Sequence, residues 1–162
     1  MSLVPKIEKV GSAVRSMLGA LARIALVIAP PLLRVALAVP FFRSGLTKWN
    51  GFLSLSPMAS FLFEDEFKLH VFGETYDFPA PEFVAFVGGT AEVVLPTLLV
   101  IGLATRLSAL GLLIMTGVIQ LVVPEGWANF HLPWAAIAVA VIALGPGPWS
   151  LDHVLDRQFA RR

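Results

Sequence analysis

Cysteine is absent from this 162-residue chain. That excludes disulfide relays, thiolate nucleophiles, Cys-ligated zinc and iron–sulfur clusters held by this chain alone. Charge is scarce as well: charged residues make up 14% of the chain against 57% hydrophobic ones, and the mean hydropathy of +0.80 lies far above that of an ordinary soluble domain. Neither sign of charge dominates. The formal net charge is +1, and the basic residues are scattered rather than gathered into a stripe or an aromatic-interleaved patch, so nothing points to nucleic acid. What the chain has in quantity is long apolar runs, and these make a lipid bilayer its expected surroundings.

A bilayer core near 30 Å takes about 20 mostly apolar residues per helix. Four stretches qualify, at about 29–48, 82–104, 107–123 and 127–145, and predict an all-α, integral-membrane four-helix bundle. In the fourth, Pro133 suits the first turn of a helix, which leaves only about 13 helical residues after it. Ahead of the first span, Ile7, Val10, Val14, Leu18 and Leu21 recur at helical spacing, with Glu8, Ser12, Arg15 and Arg23 on the other side. Residues 1–28 are therefore expected to form an amphipathic helix lying in the membrane interface, with Pro30-Pro31 resetting the chain; the alternative is a helix continuous with the first span. The interrupting arginines and the lack of a cleavage site argue against a secretory signal.

Orientation follows from the connections. Lys6, Lys9, Arg15 and Arg23 precede the first span, Arg106 sits in the second connection, and Arg157, Arg161 and Arg162 follow the fourth span. The other two connections carry Glu64, Asp65, Glu66, Glu74, Asp77 and Glu125 against Lys68. By the positive-inside rule both termini are cytoplasmic, with a short tail at 158–162, and in a bacterial cell the membrane would be the inner one. The long connection at 49–81 then faces outward, and "FKLHVFGETYDF" around Gly73-Glu74 predicts a short hairpin within an outer cap. His70, alone on a predicted strand, reads as a surface or packing residue.

One residue is out of place. Glu92 lies near the centre of "EFVAFVGGTAEVVLPTLLVIGLATR", where a charge costs about 2.5–3.5 kcal/mol on insertion scales, so it is expected to face the bundle and have a partner. On the first helix Arg34, Ala38, Phe41, Gly45 and Lys48 form one stripe, with Arg43 on the opposite face. Arg34 is the expected partner and Arg43 the alternative. Pro96, four residues on, deprives the Glu92 carbonyl of its usual donor, and Gly88 and Gly89 permit close helix approach. Gln120 and His131 fall in the outer half, so a polar pocket opening outward is expected. Glu92, Arg34 and His131 are the candidate catalytic groups; Arg43, Lys48, Gln120 and Trp134 are the candidate ligand-binding ones. Each also has a structural reading: an ion pair that fixes helix pairing, a histidine in an aromatic belt with Trp127 and Trp134, a glutamine bonded to a neighbouring helix.

The strings "FFRSGLTKW", "PAPEFVAFVGGTAEVVLPTLLVIGLATRLSALGLLIM" and "HLPWAAIAVAVIALGPGPWSLDHVLDR" resemble the DoxX family of small four-helix bacterial membrane proteins. The resemblance rests on Arg34 with Ser44, Gly45, Leu46 and Lys48, on Ala91-Glu92, on Gly102, Leu103, Thr105 and Arg106, and on the closing pattern from Gly145 to Asp152. It implies a DoxX-like domain over about 29–157. It also implies kinship with the membrane subunit of a thiosulfate:quinone oxidoreductase and with proteins linked to oxidative-stress complexes, though fold transfers further than function.

Three functions are compatible with this reading. In the first, the chain is a quinone-interacting subunit of a redox system, with electrons supplied by a redox or periplasmic partner protein and no activity alone. In the second it is a membrane anchor or assembly module, and in the third a small-solute or proton transporter, disfavoured because no inverted repeat stands out. A homo-oligomer is compatible with all three. No haem, metal or iron–sulfur cluster is expected, because His70, His131 and His153 fall in the outer loop, at the outer interface and in the tail, where they cannot pair on facing helices.

Overall fold

A computed structural model describes residues 4–160, with side chains from Gly11 onward. Helix α1 runs unbroken from Val4 to Thr47 with Pro30, Pro31 and Pro40 inside it. The expected break at Pro30-Pro31 does not occur. Proline's fixed φ is itself helical, and its cost lies in a lost N–H and a ring clash. Here packing holds the chain on course: Pro30 is buried, and a Cβ added at Gly147 would stand 2.6 Å from the Pro30 ring. Of the periodic residues read from the sequence, Ile7, Glu8 and Val10 lie outside the described side chains. Those from Ser12 to Gly19 and from Leu21 to Ile28 are exposed.

The connection after α1 is a built cap. Strands β1 (Trp49–Gly51) and β2 (Ser54–Leu55) make a small antiparallel hairpin that the sequence did not announce. Helix α2 (Pro57–Phe61) follows, its first turn capped by Ser56, whose hydroxyl accepts from the Ala59 N–H at 3.1 Å. After a wide turn at Leu62–Glu66 comes the expected hairpin, β3 (Leu69–Val71) and β4 (Glu74–Tyr76), in the register Val71↔Glu74, His70↔Thr75, Leu69↔Tyr76. Its two turn residues, Phe72 and Gly73, both have positive φ, the backbone a tight hairpin turn demands.

The remaining helices are α3 (Pro81–Ile101), α4 (Thr105–Val122), α5 (Leu132–Leu144) and the tail helix α6 (Leu151–Phe159). Two irregular turns, Pro124–Gly126 and Trp127–His131, lead into α5, which has 13 residues with Pro133 in its first turn, as the sequence predicts. A core of aliphatic side chains around one aromatic ring, Leu37, Ala38 and Phe41 of α1 with Leu99, Leu112 and Val141, joins α1, α3, α4 and α5. Outside it the bundle is apolar at large: Leu32, Leu107, Ile114 and Val139 are all exposed. That distribution fits a solvent of hydrocarbon, and four stretches, Gly11–Thr47, Pro81–Ile101, Thr105–Val122 and Pro124–Leu144, are long and apolar enough to cross it. The chain is an all-α, multi-pass membrane bundle.

Helix register positions everything that follows. A Cβ on Gly45 would come within 2.9 Å of the Glu92 backbone, and Gly102 lies against Arg34. Helix α1 therefore stops halfway along α3. Beside the first two turns of α3 the cap takes its place, beginning with Trp49 edge-on to Phe86 at 5.4 Å.

Candidate functional site

Glu92 faces the bundle and is buried, as expected, but its partner is Lys48. Lys48 Nζ stands 2.6 Å from Glu92 Oε2 and also donates to Ser44 Oγ at 3.1 Å. Neither expected arginine takes part. The reason is axial: with Gly45 seated on Glu92, the side chain one turn toward the cap is Lys48, whereas Arg34 lies eleven residues, about 16 Å, away along α1. Gly45 makes this register accessible, since any side chain there would collide with α3. Both partners are more than four-fifths buried, so the pair is a desolvated charge pair.

This ion pair forms one end of a cavity of about 460 Å³ between α1, α3 and α4. Lys48, Glu92 and Ser44 supply the polar part of its lining. The rest is aliphatic and aromatic, running along α4 from Gly111 to Val123 and along α3 from Glu92 to Phe83. At the far end stand Phe63, Phe67 and Phe78 from the cap, with Phe63 at 5.3 Å from Phe67 and 5.6 Å from Phe78, centroid to centroid. The cavity thus extends from the ion pair toward the cap, the direction the sequence predicts. A long apolar slot with a few convergent polar groups is the usual form of a small-molecule site.

Trp134 forms part of the wall, packed on Phe41 at 5.2 Å and on the His131 ring at 5.5 Å. His131 is buried and its Nδ1 lies 2.6 Å from Gln120 Oε1; the Gln120 amide in turn donates to the Pro124 carbonyl at 3.0 Å. Gln120 and His131, read from the sequence as lying in one half of the bundle, are bonded to each other near the cap end of α4. Neither lines the cavity, and the His131 ring packs against Trp134, which does. His70 is tied to the bundle as well, with Nδ1 3.1 Å from the Leu121 carbonyl.

Arg34 belongs to a separate cluster at the opposite end of the bundle. It is buried beneath the tail, where Nη2 donates to the Trp149 carbonyl at 2.5 Å, while Nε and Nη1 are buried without a partner among the described residues. Asp152 helps offset that charge. Asp152 lies in the first turn of α6 and also caps α4: its carboxylate accepts from the N–H groups of Ala104 and Thr105, both at 2.8 Å. Burial works against its ionisation, but the Thr105 and Ala104 donors and the Arg34 guanidinium prevail and hold the carboxyl below its ordinary range. Ser150 caps α6, accepting from the His153 N–H at 3.1 Å. Arg43 is exposed on the other face of α1, beside Pro96 and Thr97, away from every other candidate residue.

Gly88 and Gly89, read together from the sequence as close-packing residues, divide. A Cβ on Gly89 would meet Lys48 and Trp49 at 3.2 Å, whereas one on Gly88 would meet nothing within 4 Å. Sequence reasoning missed the cap phenylalanines as part of the site. Their number in 61–78 was a signal, since Phe61, Phe63, Phe67, Phe72 and Phe78 are more aromatics than a plain solvated loop needs.

No curated protein and no solved structure matches this chain. A family model, that of DoxX, matches residues 29–125, which include the Lys48–Glu92 pair, the cap and the cavity walls on α3 and α4, and end before His131 and α5. With more than half of its length matched, and with the four-helix membrane bundle that its sequence resemblance implied, this chain belongs to the DoxX family.

Proposed function

We propose that this protein is the membrane subunit of a redox system and that its cavity takes a quinone, with electrons arriving from a partner protein. The observation that carries the reading is the buried Lys48–Glu92 pair at one end of an otherwise apolar slot. A quinone needs a donor for a carbonyl oxygen that gains negative charge on reduction, a proton source, and an apolar channel for its tail. Lys48 supplies the donor and positive charge, Glu92 passes protons, and the slot excludes water, which strengthens both interactions. Reduction to the quinol takes up two electrons and two protons, the electrons from the partner and the protons through this chain. Trp134 forms one wall, with His131 and Gln120 positioning it from behind.

The orientation follows the basic residues, with both termini cytoplasmic in a bacterial inner membrane. The cap is then the surface offered to a periplasmic partner. Residues 11–28 continue the first span toward the cytoplasmic side as a helical arm, on which Ser12, Arg15, Ser16, Gly19 and Arg23 follow one stripe of an otherwise apolar surface.

Extraction of the purified protein should yield bound quinone by absorbance, and Glu92→Gln, whose amide oxygen still accepts from Lys48, should lower its retention roughly 10- to 100-fold, the loss of a charged hydrogen bond, without lowering the amount of inserted protein. A second reading, a non-catalytic assembly module, is favoured by the same pair's position beside the close approach of α1 to α3 at Gly45. On that reading Glu92→Gln reduces abundance, and activity falls only in proportion. No quinone in the wild-type extract would count against the first.

A further inference from the structure

Gly88 is the one glycine on the cavity wall of α3 that packing does not require. Glycine within a helix is destabilising relative to alanine, and whereas open Gly19 and Gly117 are exposed on the outside of their helices, a glycine inside the bundle normally marks a close approach. Gly45, Gly89 and Gly111 do: an added Cβ would meet Glu92, Lys48 and Leu95 at 2.9, 3.2 and 2.7 Å respectively. At Gly88 an added Cβ meets open space, yet the residue lines the cavity and stands one turn from Glu92, on the same face of α3. Its missing side chain leaves room directly between the ion pair and the cap phenylalanines.

The polar atoms fix how that room is used. Lys48, Glu92 and Ser44 lie together at one end, and from Gly111 to Val123 the wall on α4 continues for about 18 Å without another charged group. A ligand that satisfies this slot carries one polar head and a long apolar extension. Gly88 stands about 6 Å from Glu92 along α3, so what lies against it is the body just behind the polar oxygen. An acyl chain is narrow there, and a ring is broad.

We propose that Gly88 is the specificity-determining residue of the cavity, admitting a ring-headed, long-tailed ligand whose ring lies between Gly88 and α4. This rests on the quinone reading of the same site and names what the site selects for: head breadth rather than tail alone.

Thermal unfolding of the full chain in detergent micelles tests it, with decylubiquinone as the ringed probe and oleate as a ringless chain, on wild type, Gly88→Ala and Gly88→Leu. A ligand that binds the folded state raises the melting temperature according to its affinity. Without ligand, Gly88→Ala should melt no lower than wild type, because its methyl group enters open space and helix propensity improves. Decylubiquinone should stabilise wild type, and Gly88→Leu should weaken that response at least tenfold in apparent affinity while leaving the response to oleate unchanged. An undiminished decylubiquinone response in Gly88→Leu overturns the role of Gly88 and leaves the quinone reading standing. A wild type that responds to oleate but not to decylubiquinone removes the quinone reading and this one with it. Lowered melting of ligand-free Gly88→Ala shows that Gly88 is a packing residue after all and overturns the inference by itself.

Discussion

A buried ion pair is asymmetric to disruption: removing one partner strands the other, at about 3–5 kcal/mol, whereas replacing both with apolar groups of similar size is often neutral. Lys48→Met should therefore destabilise the bundle, and Lys48→Met combined with Glu92→Leu should restore most of the loss in a chemical-denaturation or thermal assay while leaving quinone retention abolished. A double variant no more stable than the single would mean that the two side chains are not energetically coupled. Asp152 makes a prediction in pH. Its carboxyl titrates lower in the folded state than its ordinary value near 4, so it contributes stability above that value and loses it as pH falls toward the folded one. Asp152→Asn should lower stability at neutral pH and flatten the acid limb of the stability profile; an unchanged acid limb would assign that limb to other carboxylates. The sequence showed that Glu92 needed a partner, from the cost of a charge in hydrocarbon, and it put Lys48 on the correct stripe. It did not show which cation on that stripe is at the right height. That depends on the axial register of α1 against α3, which contacts between helices set and periodicity within one helix does not encode.

At the scale of the element, that register is set by close approach. Gly45→Ala places a methyl group where α3 backbone already stands, and overpacking of this kind typically costs about 1–3 kcal/mol. It should separate the helices at Lys48 and so weaken ligand retention as well as stability, in contrast to Gly88→Ala, which should spare stability. Equal stability of Gly45→Ala and wild type would show that α1 can slide. Element boundaries were legible where chemistry punctuates the chain: Pro133 in the first turn of α5, and the hairpin near Gly73, although its turn lies at Phe72-Gly73, one residue before the Gly73-Glu74 read from the sequence. They were misread at Pro30-Pro31, because the tail packing that holds those prolines in a helix comes from Gly147, more than a hundred residues later. The first hairpin of the cap was hidden for a related reason. Two- and three-residue strands are too short to show alternation, and Leu53 takes a positive φ that its residue type does not favour.

For the molecule as a whole, the absence of cysteine makes topology directly measurable. Single cysteines introduced at Glu74, on the cap hairpin, and Arg157, on α6, both exposed, should react with impermeant reagent from opposite sides of the membrane, Glu74 from outside. Reaction of both from one side would refute the four-span arrangement. Membrane class, span number and the hairpin were readable because they follow from solvent and local chemistry. The division into a ligand cavity near the cap and an arginine cluster beneath the tail was not, since both lie on one stripe of α1 and only the fold pulls them apart.

The cap that Asp152 places on α4 also has a consequence in time. The N–H groups of Ala104 and Thr105 wait for a carboxylate that lies 48 and 47 residues further on, and a ribosome adding roughly 5–20 residues each second needs some seconds to reach it. Ala104 must meanwhile hold its left-handed backbone conformation unaided. The turn between α3 and α4 is thus provisional during synthesis and becomes permanent only when the tail arrives. A chain stopped after Pro148 should insert its spans yet be cleared faster by quality-control proteases than the full-length protein, and equal lifetimes in a pulse-chase would show that the turn sets without its latch.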